Sequence, residues 1–142
     1  MLSLRRAQLD QLNALAEVAF PREACALLIG REHGDGLLAV AEVVAADNVA
    51  ADGEREFELD PAVHIAVLRR LRESNAVERV IGHWHSHPNG RAEPSAMDAA
   101  MVHDPGLVWA ITSLLDGRVQ ELRAFRPALR NGFDAIPVEI LP

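Results

Sequence analysis

Half of the six histidines stand at alternating positions in one short segment, GHWHSHPNGRAEPSAMD, from Gly82 to Asp98. Imidazole is the commonest metal ligand among side chains and also the group that carries protons near neutral pH. Alternate side chains of a β-strand point to the same face, so His83, His85 and His87 would share one face. The segment is therefore the first candidate for a chemical site.

Only a neighbouring pair of these histidines can bind one small ion. Residues four apart on a strand are separated by roughly 13 Å, whereas zinc requires each nitrogen at about 2.0–2.1 Å. Pro88 cannot donate to a sheet ladder, so it puts His85 and His87 at the end of the strand. His83 then lies farther from the end of the strand, inside the sheet. An isolated pair of this kind is also compatible with imidazoles that only titrate or pack.

The second half of the segment carries Ser95 and, three residues later, Asp98. A serine followed at this spacing by an acid is typical of the capping box that starts a helix. The loop 89–94 contains an Asn-Gly turn that could fold this helix start back against the strand end. Two imidazoles, one carboxylate and a water form the ligand set of a catalytic zinc. We therefore predict one zinc per chain on His85, His87 and Asp98.

This pattern resembles the signature of the JAMM metalloproteases, also called the MPN-plus family. The matching residues are His85 to Pro88, then six residues, then Ser95-x-x-Asp98. The family motif also contains an upstream glutamate, and the stretch PREACALLIG resembles the segment that carries it, with Glu23 at the matching position. The likeness covers nearly the whole chain. One departure is Ala26, which stands where the family commonly has glycine.

The resemblance implies a zinc metallopeptidase that hydrolyses a peptide or isopeptide bond. Glu23 would be the general base that takes a proton from water and passes it to the departing amine. Ser95 would cap its helix through its oxygen and stabilise the oxyanion through its hydroxyl hydrogen. His83 lies outside the core motif, and we expect it to have a supporting or structural role.

The short chain has no room for large insertions beside the site, so it looks like the stand-alone prokaryotic members of the family. Those resemble enzymes that cleave after the C-terminal Gly-Gly of ubiquitin-like sulfur-carrier proteins, and the resemblance implies such a partner. Three alternatives stay open: a small-peptide or cell-wall peptide amidase, a binding module without chemistry, and a RadC-like DNA-associated protein. Deaminase chemistry is excluded, because its P-C-x-x-C motif needs two cysteines and this chain has one.

The composition narrows the function further. The 142 residues carry a net charge of −7, and all 14 basic residues are arginine. The absence of lysine excludes Schiff-base catalysis and a P-loop, and the lack of a basic cluster argues against nucleic acid as a partner. No apolar run approaches the length of a membrane span, and no secretory signal pattern is present, so we expect a cytoplasmic protein. Cys25, in an apolar run, is expected to be an inert buried thiol.

The periodicity predicts one domain over residues 1–142, of class α/β (α+β), with a mixed β-sheet flanked by helices; the resemblance likens this fold to that of the cytidine deaminases. Strands are predicted at Leu2 and Leu4, then at 24–29, 37–45, 55–59, 77–87, 107–114, 119–125 and, as an edge strand, 137–141. Helices are predicted before Pro21, from Asp60 to Asn75, and from Ser95 to about His103. In the strand 55–59, Glu56 and Glu58 would lie on the exposed face, and His64 would lie at the surface of the second helix.

Overall fold

The computed structural model describes residues 1–129 and 132–142, which form eight strands and three α-helices. The elements in chain order are β1 (Leu2–Arg5), α1 (Arg6–Ala19), β2 (Cys25–Glu32), β3 (Leu38–Ala46), α2 (Pro61–Glu73), β4 (Arg79–His87), α3 (Ala96–Ala100), β5 (Val108–Leu115), β6 (Arg118–Pro127), β7 (Phe133–Ile136) and β8 (Val138–Leu141). In those two ranges, no helix combines the length and apolar character needed to cross a membrane.

All eight strands join in one mixed sheet, in the order β7-β6-β5-β4-β2-β3-β1-β8. The pairs β4–β5, β1–β3 and β1–β8 are parallel, and the other neighbours are antiparallel. The predicted mixed sheet with flanking helices is therefore confirmed. β2 and β4 lie near the middle of the sheet, so the residues at their ends are held from both sides.

The two faces of the sheet carry separate helices. On one face the apolar stripe of α1, including Leu12 and Ala16, packs with Trp84 and with strand residues of the main core. On the other face Val67 of α2 packs against Leu27 and Ile29 of β2. Because side chains alternate along β4, Trp84 faces α1 while His83 and His85 face the α2 side.

Two helices begin as the sequence predicts. Asp60 caps α2, and its carboxylate accepts a hydrogen bond from the amide of Ala62 at 3.0 Å. Ser95 caps α3 through the reciprocal capping box with Asp98. The third helix is shorter than predicted, since it ends at Ala100 and not near His103.

The predicted strand 55–59 is wrong. Residues 51–55 form turns, and only Leu59 makes an isolated bridge, to Asn48. The Asn48 side chain takes the backbone groups that a neighbouring strand would use: it donates to the carbonyls of Gly53 and Glu56 and accepts from the amide of Glu58. The acidic row is thus part of a loop organised around one asparagine. The structure also contains a strand, β7, that the sequence pattern does not predict.

Candidate metal centre

The end of β4 delivers His85 and His87 to one point on the α2 side of the sheet. Both imidazoles are buried. Their Nε2 atoms lie 3.0 Å apart, although the residues are two positions apart on the strand. His83 does not join them; its ring packs edge-on against Trp109, with centroids 4.3 Å apart. The pair chosen from the position of Pro88 is the pair that converges.

Asp98 reaches the two imidazoles from the first turn of α3. Its Oδ1 lies 3.3 Å from Nε2 of His85, and its Oδ2 lies 3.0 Å from Nε2 of His87. The capping box fixes this carboxylate, because Oδ2 also accepts from the amide of Ser95 at 2.8 Å. The Asp98 side chain is therefore held by its own helix start while both of its oxygens face histidines.

Hydrogen bonding sets the tautomer of His87. Its Nδ1 lies 2.8 Å from the carbonyl oxygen of Arg91, which can only accept, so Nδ1 carries the proton. In the neutral ring, Nε2 then points a lone pair at the carboxylate of Asp98. Two acceptors facing each other at 3.0 Å repel unless a proton or a cation lies between them.

These atoms fit a tetrahedral metal. Bonds of about 2.0–2.1 Å at the tetrahedral angle put ligand atoms about 3.3 Å apart. The two Nε2 atoms lie 3.0 Å apart, and each has a different Asp98 oxygen nearby, Oδ1 at 3.3 Å from His85 and Oδ2 at 3.0 Å from His87. The backbone contact of His87 Nδ1 is also the kind of outer bond that metal-binding histidines make. The donor set, two imidazoles and one carboxylate, suits zinc.

A second carboxylate, that of Glu23, lies close to this group. It comes just before β2, is only 4 % exposed, and offers an oxygen within 4.8 Å of ligand atoms of His85 and His87. Its Oε1 is buried and has no hydrogen-bond partner among the described residues. Glu23, His85 and His87 therefore also form a group that could hold a metal ion, with ligand atoms all within 4.8 Å of one another. Two carboxylates thus converge on the histidine pair, and Asp98 is the nearer, at 3.0–3.3 Å.

The two carboxyl groups titrate in opposite directions. Burial raises the pKa of Glu23 to about 8, and the charge of His87 offsets only part of that effect. Burial also acts to raise the pKa of Asp98, but His85 and His87, which donate to this carboxylate when their Nε2 atoms are protonated, outweigh burial and hold that pKa well below its usual range. Paired groups whose pKa values are pushed apart are typical of sites that need one ionised group and one proton carrier.

Burial and the neighbouring charges also shift the pKa values of the three histidines. Burial lowers the pKa of His85. Burial also opposes the charged form of His87, but the hydrogen bond and charge of Asp98 raise its pKa overall. The pKa of His83 falls to about 3, mainly through burial.

Two residues that the sequence did not single out connect these side chains. Ser86 lies between the two histidines and points to the other face, where its Oγ accepts from the amide of Ala24 at 2.8 Å, and its own amide donates to the Ala24 carbonyl. Asn48 donates to the carbonyl of Glu23 at 3.0 Å. Strand alternation predicts the direction of Ser86, opposite to the histidines, although not its contact with Ala24; no local signal marks Asn48.

Ser95 has a group that is free to take part in chemistry, whereas Cys25 does not. The Ser95 Oγ accepts from the amide of Asp98 at 3.0 Å, and among the described residues its hydroxyl hydrogen has no acceptor. Cys25 is buried, with its thiol 3.5 Å from the carbonyl oxygen of Ala46, and burial raises its pKa to about 12. A thiol with this pKa is not a nucleophile at neutral pH.

Comparison with known proteins identifies the family. The model of the prokaryotic homologues of the JAB domain matches residues 5–127. The chain belongs to this family. The family assignment agrees with the JAMM resemblance of the histidine segment, and the fold of this prokaryotic JAB protein agrees with solved structures that it matches over nearly its whole length.

One solved relative, from Desulfitobacterium hafniense, is 30 % identical and superposes with a TM-score of 0.84 over 99 % of this chain and 92 % of its own. A second, from Salinibacter ruber, is 30 % identical, with a TM-score of 0.72 over 100 % of this chain and 92 % of its own. A JAB1/MPN domain protein from Archaeoglobus fulgidus shares the fold, at 19 % identity and a TM-score of 0.60, covering 100 % of this chain and 98 % of its own.

Two curated proteins are also similar in sequence. One is named desampylase, from Haloferax volcanii, and is 34 % identical over 99 residues, which is 70 % of this chain and 67 % of that protein. The other is tail tip assembly protein K of Escherichia phage N15, 26 % identical over 124 residues, or 87 % of this chain. The matched region spans 44 % of the length of that phage protein.

Proposed function

We propose that this prokaryotic JAB protein is a zinc-dependent isopeptidase that hydrolyses the amide bond after the C-terminal Gly-Gly of a ubiquitin-like sulfur-carrier protein. The observation that carries the proposal is the convergence of His85, His87 and Asp98 within 3.0–3.3 Å, with the buried carboxyl of Glu23 beside them. The similarity to a protein named desampylase supports a hydrolase acting on a ubiquitin-like protein.

In this proposal His85, His87 and Asp98 hold one zinc ion per chain, and Glu23 is not a ligand. Asp98 is the better third ligand, because it contacts both Nε2 atoms directly and the surrounding hydrogen bonds keep it ionised. When bound, zinc supplies a Lewis acid that acidifies a water molecule and polarises the amide carbonyl.

Glu23 moves the proton. Its ionised carboxylate accepts a proton from the attacking water, and the resulting carboxylic acid then donates that proton to the departing amine, which leaves poorly without one. The pKa of about 8 suits such a carrier, since the group is able to hold and release a proton near neutral pH. A cation at the centre would favour the ionised form at the start of the cycle.

Ser95 stabilises the developing oxyanion. Its oxygen is already used by the amide of Asp98, so the orientation of the side chain is fixed while the hydroxyl hydrogen is left to donate. A fixed donor next to the reacting carbonyl is the arrangement that an oxyanion hole requires.

Glycine next to the cleaved bond follows from the crowding at this centre. The buried side chains of His85, Asp98 and Glu23 surround the reacting position, and a residue without a side chain lets its carbonyl come close. We take residues 1–142 as one catalytic domain acting in the cytoplasm, with the carrier's folded body supplying most of the affinity. Nucleic acid and membranes have no part in the proposal.

The test compares two substrates with the same last residues. One is a sulfur-carrier protein conjugated through its terminal glycine, and the other is a free peptide. We expect the conjugate to be cleaved with at least tenfold higher kcat/KM. If the free peptide or a cell-wall peptide is cleaved equally well, the enzyme is a peptide amidase; if nothing is cleaved and zinc is not bound, it is a non-catalytic module.

A further inference from the structure

A cavity of about 650 Å³ opens on the α2 side of the sheet, beside the candidate metal centre. Its walls are mostly apolar and come from several elements: Leu27, Phe57, Leu59, Leu68, Val80 and Trp109. His83 also lines it, and the buried Nδ1 of His83 has no hydrogen-bond partner among the described residues. The wall of the cavity is therefore mostly apolar, and its polar part comes from Glu58, His64, Arg79, His103 and Asp104.

The cavity lies two substrate residues away from the reacting position. The ring centroids of His83 and His85 are 6.1 Å apart. An extended chain rises about 3.3 Å per residue, and its alternate side chains point the same way. A substrate lying extended along β4 with its cleaved carbonyl at His85 would thus direct the side chain two residues away towards the cavity.

The position of Glu23 sets the direction of the substrate. A second cavity, of about 700 Å³, is lined by Glu23 together with Arg22, Asp47 and Asn48. The two cavities have no lining residue in common among those the structure describes. Because Glu23 must reach the departing amine, the amine belongs on the Glu23 side. The acyl part of the substrate then extends towards His83.

We propose that the cavity beside His83 is a specificity pocket for the residue that immediately precedes the Gly-Gly of the substrate, and that this residue has a large apolar side chain. The inference rests on the proposed function, since it takes Gly-Gly as the last two acyl residues. The two glycines span the distance from His85, and the third residue is the first with a side chain to bury.

The first test varies that one residue. Ubiquitin-like carriers ending in Leu-Gly-Gly, Phe-Gly-Gly, Ala-Gly-Gly or Asp-Gly-Gly are made as C-terminal aminocoumarin amides. Burying a large apolar side chain contributes about 1.5–3 kcal/mol, so kcat/KM for the leucine and phenylalanine carriers should exceed that for the aspartate carrier roughly 10- to 100-fold. Equal cleavage of all four overturns the pocket and leaves the proposed function standing.

The second test measures binding and does not depend on turnover. Leu68 lines the cavity from α2, and Leu68→Trp should fill it. Ile65, on the same helix, is 57 % exposed and does not line the cavity, so Ile65→Trp is the matched control. Titration calorimetry with the cleaved carrier ending in Leu-Gly-Gly should show about tenfold weaker binding for Leu68→Trp only.

The outcomes distinguish failure of the specificity pocket from failure of the proposed function. Equal binding by Leu68→Trp and wild type overturns the pocket. Weakened binding in both tryptophan variants also overturns it, since the effect would then belong to the outer surface of α2. Absence of any carrier cleavage, with the Leu68 effect on binding intact, counts against the proposed function and supports the pocket.

Discussion

The ring of Phe57 stacks on the imidazole of His85, with centroids 4.2 Å apart and planes inclined by 20°. His85 Nδ1 is buried and has no hydrogen-bond partner among the described residues, so the usual polar contact that orients a metal-binding imidazole is missing there. The stack takes its place. Phe57 belongs to the loop that Asn48 organises, and that loop thus reaches the candidate metal centre.

Phe57→Leu should therefore weaken zinc binding. Outer contacts of metal ligands are typically worth 10- to 100-fold in affinity, and we expect a loss near the lower end. Competition with a fluorescent chelator measures it. Phe133→Leu is the matched control, because Phe133 packs on Trp109 at 5.2 Å but makes no ring contact with His85. Equal zinc affinity in Phe57→Leu, Phe133→Leu and wild type would remove Phe57 from this role.

Glu23→Gln should keep its zinc and lose turnover. The amide cannot take up the proton that the mechanism moves, and the expected loss in kcat is roughly 10²- to 10⁴-fold. Cys25→Ser, two residues away, should retain near-normal activity, because that thiol is buried and protonated. Full activity in Glu23→Gln, or a dead Cys25→Ser enzyme that is still folded, would point to different chemistry.

The metal-free protein should lose stability as the pH rises. Glu23 titrates at about 8 in the folded chain against an ordinary value of 4.5, so between these values the folded state holds the extra proton. The contribution of Glu23 to the free energy of unfolding is greatest below about pH 4.5. It falls as the pH rises through neutral, and it is lost above about pH 8. The total is roughly 3–5 kcal/mol.

Urea unfolding in the presence of a chelator at pH 5, 7 and 9 tests this pH dependence. Glu23→Gln is the control, because it keeps every other titrating group and removes this one. With rising pH, the free energy of unfolding of wild type should fall relative to that of Glu23→Gln. Parallel curves for the two proteins would mean that the Glu23 carboxyl is solvated in the metal-free state.

Much of the candidate metal centre could be predicted from the sequence, because the patterns that mark its residues lie within short segments of the chain. Strand alternation and Pro88 identify the histidine pair, and the spacing of Ser95 and Asp98 identifies a helix start that also supplies a carboxylate. The position of Glu23 could not be predicted from a local pattern. Its position depends on the pairing of β2 with β4, and only the family resemblance pointed to it.

The errors came from non-local contacts. The alternating residues around Phe57 have the pattern of a strand, but Asn48 captures their backbone groups and turns them into a loop. β7 is four residues long and is defined by its pairing with β6. α3 ends early: the amide of Met101 bonds the carbonyl of Asp98, and Asp104 before Pro105 disfavours further helix.

Zinc content per chain tests the central claim most directly. Wild type, Glu23→Gln, His85→Ala and Asp98→Ala are purified in parallel, loaded with zinc, desalted and analysed by mass spectrometry of the metal. We expect about one zinc per chain in wild type and in Glu23→Gln, since Glu23 is the proposed proton carrier and not a proposed ligand, and little or none in the other two variants. Full zinc in both His85→Ala and Asp98→Ala, or its loss in Glu23→Gln alone, would contradict the assignment of ligands and base.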